Sequence, residues 1–186
     1  HSYSSAASDV YKRQDITGFS RFEVKGENAE AWLDKIFATK LPKPGRARLA
    51  VMLSPTGKLK GDLTLLNWGD GTFWIMGSYY LRAWHMRWFN DQMQEGVSVR
   101  DLGDDICGFA LIGPNSPFIL QKVAEGDVSK MRFMDCKRLD IGLIQSHVAR
   151  MSVTGEMGFE LNCKMGDHIA LRRILLEAGT DYDIRE

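Results

Sequence analysis

The chain has 186 residues, 44% hydrophobic and 26% charged, an ordinary balance for a globular protein that buries a core. Lys+Arg and Asp+Glu are equal at 24 each, so no overall basic footprint points to nucleic acid or an acidic membrane as the main partner. No apolar run reaches bilayer-spanning length, and three cysteines without a Cys-x-x-Cys argue for reduced thiols rather than a disulfide framework.

Taken in chain order, residues 1–14 (HSYSSAASDVYKRQ) are small, polar and unpatterned, and read as a non-native or disordered leader rather than a signal peptide. Phe22-Glu23-Val24 alternates as a strand and closes at Gly26. Ala29 to Phe37 places Trp32, Leu33, Ile36 and Phe37 on one helical face. The Pro42-Lys43-Pro44-Gly45 run ends that helix in a rigid loop. Leu49 to Leu53 and Asp62 to Trp68 read as strands around a turn at Ser54 to Lys60. Asp70-Gly71 marks a hairpin before the strand Phe73 to Met76.

Tyr80 to Met93 reads as a helix with Leu81, Trp84, Trp88 and Phe89 inward, an aromatic stripe better suited to a core than to a cofactor. Ile106 to Ile112 is a buried strand, and Ser116 to Val123 the following helix. Ile141 to Val153 alternates as one long strand. Asp167 is an N-cap candidate, Ile169 to Glu177 is helical, and Gly179 is its stop. A faint repeat aligns Phe22 to Ile36 with Phe109 to Val123, each a strand, a glycine turn and a helix. Two such units around antiparallel sheets give an α+β fold with flanking helices.

Two segments carry chemistry. Met151 to Leu161 (MSVTGEMGFEL) breaks at a turn containing two glycines, after which Phe159, Leu161 and Cys163 alternate with Glu160 and Asn162. Glu160 therefore faces away from the apolar side. A carboxylate there is either solvated, the common state of a charge beside a loop, or able to accept two parallel N–H donors from a guanidine-like heterocycle. Asp62 follows Gly61 where the 54–60 turn meets a strand. It either supports that turn through backbone bonds or offers its charge to a ligand. Lys58 and Lys60 flank the same turn as solvated side chains. The four histidines show no metal-ligand spacing, so no metal site is expected. Neither a P-loop nor a Gly-x-Gly-x-x-Gly is present.

Both segments resemble the glycine-cleavage T-protein (aminomethyltransferase) family. Met151 to Leu161 is similar to its Tyr-Thr-Gly-Glu-x-Gly-Phe-Glu signature, and Met52 to Leu65 to its Asn-x-x-Gly-Gly-x-x-x-Asp-Leu segment. The resemblance runs from about Asp15 to Glu186. It implies a T-protein-like folate-binding fold of antiparallel sheets with a ferredoxin-like part, cut off before a C-terminal β-barrel. It also implies one domain over 15–186 and tetrahydrofolate as cofactor. Glu160 would bind the pterin ring, and Asp62 would sit at the reacting folate nitrogens.

The chain departs from the T-protein pattern at Val153 and Leu49, where tyrosines line the folate pocket, and at Gly61, where an aspartate is often found. Gly61 and the Met52-Leu53-Ser54-Pro55-Thr56-Gly57 opening are closer to dimethylglycine and sarcosine dehydrogenases. The resemblance thus implies a one-carbon-transfer domain forming 5,10-methylenetetrahydrofolate from an N-methyl-derived iminium or formaldehyde. FAD would belong to an upstream domain in cis. The location would be the bacterial cytoplasm or the mitochondrial matrix, with no nucleic-acid or membrane partner. A stand-alone glycine-cleavage aminomethyltransferase is the alternative. A non-catalytic folate-binding paralogue in iron–sulfur assembly is the more distant one, since its Lys-Gly-Cys-Tyr-x-Gly-Gln-Glu motif is missing.

Overall fold

The structure, a computed structural model, describes residues 12–185. Ten strands and four helices follow in order: β1 (Lys12–Asp15), β2 (Ser20–Lys25), α1 (Ala29–Ile36), β3 (Arg46–Leu53), β4 (Leu59–Asn67), β5 (Phe73–Gly77), α2 (Arg82–Asp91), β6 (Ser98–Asp101), β7 (Ile106–Ile112), α3 (Ser116–Gln121), β8 (Cys136–Ile141), β9 (Ile144–Ala149), β10 (Gly158–Lys164) and α4 (His168–Ala178). Where the sequence suggested one domain, the chain divides into two compact units, Gly18–Asp105 and the remainder.

In the Gly18–Asp105 unit the sheet order is β3-β4-β5-β2-β6, antiparallel throughout. This is a ferredoxin-like arrangement with one strand added at an edge. Alternation sends Phe22 and Val24, Ala50 and Met52, Leu63 and Leu65, and Phe73 and Ile75 to one face. There they meet the Trp32, Leu33 and Ile36 stripe of α1 and Phe89 of α2. Trp32 is fully buried, and its indole N–H donates to the Gln92 carbonyl at 2.8 Å, so no polar atom of the ring is stranded. The turn from β2 into α1 requires Gly26. Its φ is 127°, and a Cβ there would lie 2.0 Å from the Gly96 carbonyl oxygen.

The second unit repeats this plan with sheet order β1-β7-β10-β9-β8. β7 and α3 correspond to β2 and α1, β8 to β10 correspond to β3 to β5, and α4 corresponds to α2. Gly113 (φ 121°) stands where Gly26 stands, as the repeat predicted. The edge beside the first strand is filled differently. β6 follows its unit in sequence, whereas β1 precedes the whole repeat and pairs with β7 from Lys12↔Ile112 to Asp15↔Phe109. Its hold is local: Asp15 accepts from the Thr17 N–H at 2.8 Å and meets His168 Nε2 at 2.8 Å. Burial works against the Asp15 charge, but the Thr17 and His168 contacts outweigh it and lower its pKa. The leader expected over 1–14 is thus corrected at Lys12 to Gln14, which are strand; its first eleven residues lie outside the described ones.

Further corrections have local causes. The expected strand Ile141 to Val153 shortens to β9: Gly142 (φ 60°) turns the chain so that Ile141 ends β8 paired with Ile144, and residues 150–157 form a loop. The helix expected at Tyr80 starts as a 3₁₀ turn, Tyr79–Leu81, and becomes α-helical only at Arg82. The phase shift turns His85 inward and leaves Leu81 and Trp84 at the surface, while Phe89 is buried as expected. Asp167 does occupy the N-cap position of α4, without a side-chain capping bond. Gly179 ends α4 at φ −89°, so its role is not left-handed backbone. A Cβ there would meet Ile184 at 2.7 Å. Among the described residues no helix is long and apolar enough to cross a membrane.

Candidate functional site

The β3–β4 hairpin builds its own turn. Ser54 Oγ accepts the Lys58 N–H at 3.0 Å and shares a hydrogen bond with Thr56 Oγ1 at 3.0 Å, while Gly57 (φ 74°) donates to the Ser54 carbonyl. Pairing then skips from Met52↔Gly61 to Leu53↔Leu59, making Lys60 the extra residue of a bulge. The bulge sends Lys60 to the helical face, where its ammonium lies 4.8 Å from the Trp84 ring and 4.9 Å from the Trp88 ring. The aromatic pair is therefore partly a cation platform rather than wholly core, and Lys60 is not simply solvated.

Beyond the bulge, Gly61, Leu63 and Leu65 face the core, and Asp62 and Thr64 face away from it. Asp62 pairs with Val51 and Thr64 with Leu49, so Asp62 and Leu49 share one sheet face. Both are exposed. Among the described residues no hydrogen bond or ion pair engages the Asp62 carboxylate. The alternative in which Asp62 props up the turn thus loses its support, since Ser54 does that work.

Gly61 has a reason of its own. A Cβ there would lie 2.9 Å from His85 Nε2 and 3.2 Å from Met52 Cε. His85 is 1% exposed, and neither ring nitrogen has a hydrogen-bond partner of good geometry. Burial lowers its pKa, with the Lys60 backbone carbonyl opposing, so the ring is held neutral. The sequence reading missed His85; a glycine inside a strand was the available signal of a close neighbour.

In the other unit, Glu160 lies on β10 with Phe159, Leu161 and Cys163 packed into the core on the opposite face. It is 1% exposed, which rules out the solvated state. Its cross-strand neighbours are Ala110 on one side and Ala149 on the other, so small side chains flank the carboxylate across the sheet. Asn162, fully buried, is the next polar group on that face, between Gly108 and His147. The sequence reading used it only as part of the alternation.

The signature loop before β10 is held by Ser152 Oγ donating to the Glu156 carbonyl at 2.8 Å and by Gly155 at φ 76°. Gly158 is packed against the Leu111 carbonyl oxygen, 3.0 Å from where a Cβ would be. Val153 stands in this loop, 63% exposed, unlike Glu160. A cavity of about 180 Å³ beside the loop is lined by Phe133, Arg150 and Met157 among others, and Glu160 is not part of it.

Asp62 and Leu49 therefore belong to one unit, Glu160 and Val153 to the other. Fold and carboxylates together define a duplicated ferredoxin-like α+β protein, with Asp62 in one repeat and Glu160 in the other on the sheet face turned away from the helices. The sequence matches the GCVT N-terminal domain over residues 10–186, and the chain belongs to that family. The mitochondrial dimethylglycine dehydrogenase of Homo sapiens is 29% identical over 175 residues, covering 91% of this chain and 20% of the relative. The aminomethyltransferase of Anoxybacillus flavithermus is 30% identical over 173 residues, covering 91% and 48%. The chain thus spans about a fifth to a half of the curated relatives it matches.

Among solved structures, the glycine cleavage system aminomethyltransferase T from Bartonella henselae superposes with a TM-score of 0.83 at 20% identity, over 97% of this chain and 48% of that one. The heterotetrameric sarcosine oxidase from Corynebacterium sp. U-96 gives 0.74 at 17% identity, over 97% and 91%. Both likenesses concern the fold, and they bear out the antiparallel sheets with flanking helices.

Proposed function

We propose that this chain is the tetrahydrofolate-binding, one-carbon-transfer domain of a dimethylglycine- or sarcosine-dehydrogenase-like enzyme. The observation that carries the reading is the pair of carboxylates the fold sets apart from its cores. Glu160 is buried beside two alanines, and Asp62 is exposed with no structural work in its own turn. These fit what a folate asks of a protein: an acceptor for the ring's parallel donors, and a negative charge near its amines. Tetrahydrofolate would supply the nitrogens that take up the one-carbon unit as 5,10-methylenetetrahydrofolate.

Glu160 would hold the pterin edge in low dielectric, where hydrogen bonds to a charge are strongest. Asp62 would orient the reacting amine and stabilise cationic character beside it. Leu49 and Val153 would give apolar contact without a donating hydroxyl. The dehydrogenase assignment is supported by Gly61, by the Met52 to Gly57 opening and by the human relative. FAD would then be bound by another part of that enzyme, since no glycine-rich dinucleotide turn occurs here. Location would follow the parent, the relative named above being mitochondrial. A stand-alone aminomethyltransferase is the second reading, favoured by the Anoxybacillus relative.

The test is Asp62→Asn in the full-length enzyme, which keeps shape and loses charge. Folate should still bind, while methylenetetrahydrofolate formation falls about 10²–10⁴-fold and free formaldehyde accumulates during amine oxidation. An unchanged ratio of the two products removes Asp62 from the chemistry. Failure to oxidise either methylated amine, with one-carbon transfer from a lipoyl-bound aminomethyl group instead, selects the second reading.

A further inference from the structure

We infer that Cys107 and Cys163 form a dithiol site that a hydroperoxide converts into a cross-strand disulfide. The two residues are directly paired on β7 and β10, and their sulfurs are 3.4 Å apart with both side chains buried. Directly opposed residues of an antiparallel pair have Cα atoms about 4.5–5.5 Å apart, inside the span a disulfide bridges. A small closure of the two side chains is enough. Their 56-residue separation gave no hint of this contact, and buried cysteines read singly look inert.

The pair also sits where oxidant can arrive. The β1–β7 ladder ends at Asp15↔Phe109, with Ile16 and Thr17 bonding Gly108 just beyond it, and the β9–β10 ladder ends at Asn162↔His147. At the level of the thiols the ladder is therefore two strands wide, with only Lys164↔Ile106 beyond it. End rungs open at lower free energy than central ones, and peroxide is little larger than water. One thiol, as thiolate, attacks the O–O bond; an S–O bond forms and the leaving oxygen is protonated to water. The second thiol then attacks that sulfur, the S–S bond forms, the S–O bond breaks and a second water leaves. Two thiols give up two electrons and two protons, and the peroxide is reduced to two waters. The bond would lock β7 to β10 three rungs from Glu160, and the inference is independent of the folate reading.

The experiment treats the folded chain with hydrogen peroxide, alkylates remaining thiols and maps the non-reduced digest by mass spectrometry. A Cys107–Cys163 linked peptide is expected, with the unfolding midpoint raised by roughly 5–15 °C and restored by dithiothreitol. Cys136→Ser should leave the link intact. Cys107→Ser and Cys163→Ser should each leave the partner as a sulfenic acid that dimedone captures. Where a variant does not fold, the wild-type map decides alone. Recovery of both cysteines unlinked after exposed methionines have oxidised, or a link to Cys136 instead, overturns the inference.

Discussion

Replacing Glu160 with glutamine should weaken tetrahydrofolate binding. The side chain is 1% exposed between Ala110 and Ala149, so glutamine fits the same space. It exchanges one acceptor oxygen for a donating NH₂ and removes the charge. A ring edge presenting two N–H groups then meets one acceptor and one donor. The loss is that of a hydrogen bond to a charged group, about 1.5–3 kcal/mol, or roughly 10- to 150-fold in Kd. The unfolding midpoint of the ligand-free protein reports separately what the side chain contributes to the sheet. Titration calorimetry and scanning calorimetry on the full-length protein read the two quantities separately. A Kd within twofold of wild type refutes the pterin-binding role. Affinity and midpoint falling together would show that Glu160 supports the sheet.

Two further outcomes concern the Gly18–Asp105 unit. Gly26→Ala should cost at least about 3 kcal/mol in denaturant unfolding, since it adds left-handed strain to a clash with the Gly96 carbonyl; an unchanged midpoint would show that the β2–α1 turn is built otherwise. His85 has a folded pKa below its unfolded value of about 6.5, so the folded state binds fewer protons and stability falls as pH drops through and below that value. The slope should reach at most about 1.4 kcal/mol per pH unit below pH 6.5, and His85→Phe should flatten it; equal slopes in the two proteins would mean that His85 is not the titrating group.

Much of the candidate site was legible in the sequence because its signals are short-range. The glycines of the 154–158 turn announced a strand start, and alternation after it placed Glu160 opposite Phe159 and Leu161. The 54–60 turn likewise placed Asp62 at a strand start. What alternation could not supply was exposure. It described two carboxylates in similar positions, yet Glu160 is buried and Asp62 is open to solvent. The α2 stripe failed for a related reason: a 3₁₀ start rotated the helix, exchanging Trp84 for His85 in the core.

From the sequence alone came most of the elements, though not β1, β6 or β8, together with the repeat and the faces of the strands at Phe22 and Glu160, since each follows from backbone preference and period over a few neighbouring residues. Tertiary structure decided which strand lies beside which. Only strand pairing places β1 in the slot that β6 fills in the other repeat, sets Glu160 between two alanines and brings Cys107 to Cys163. It likewise brings His85 against Gly61. Those contacts join residues 11 to 100 positions apart, and the physical quantities they control are absent from any local pattern: the space beside a carboxylate, the polarity around a ring and the approach of two thiols are properties of neighbours the chain supplies from elsewhere.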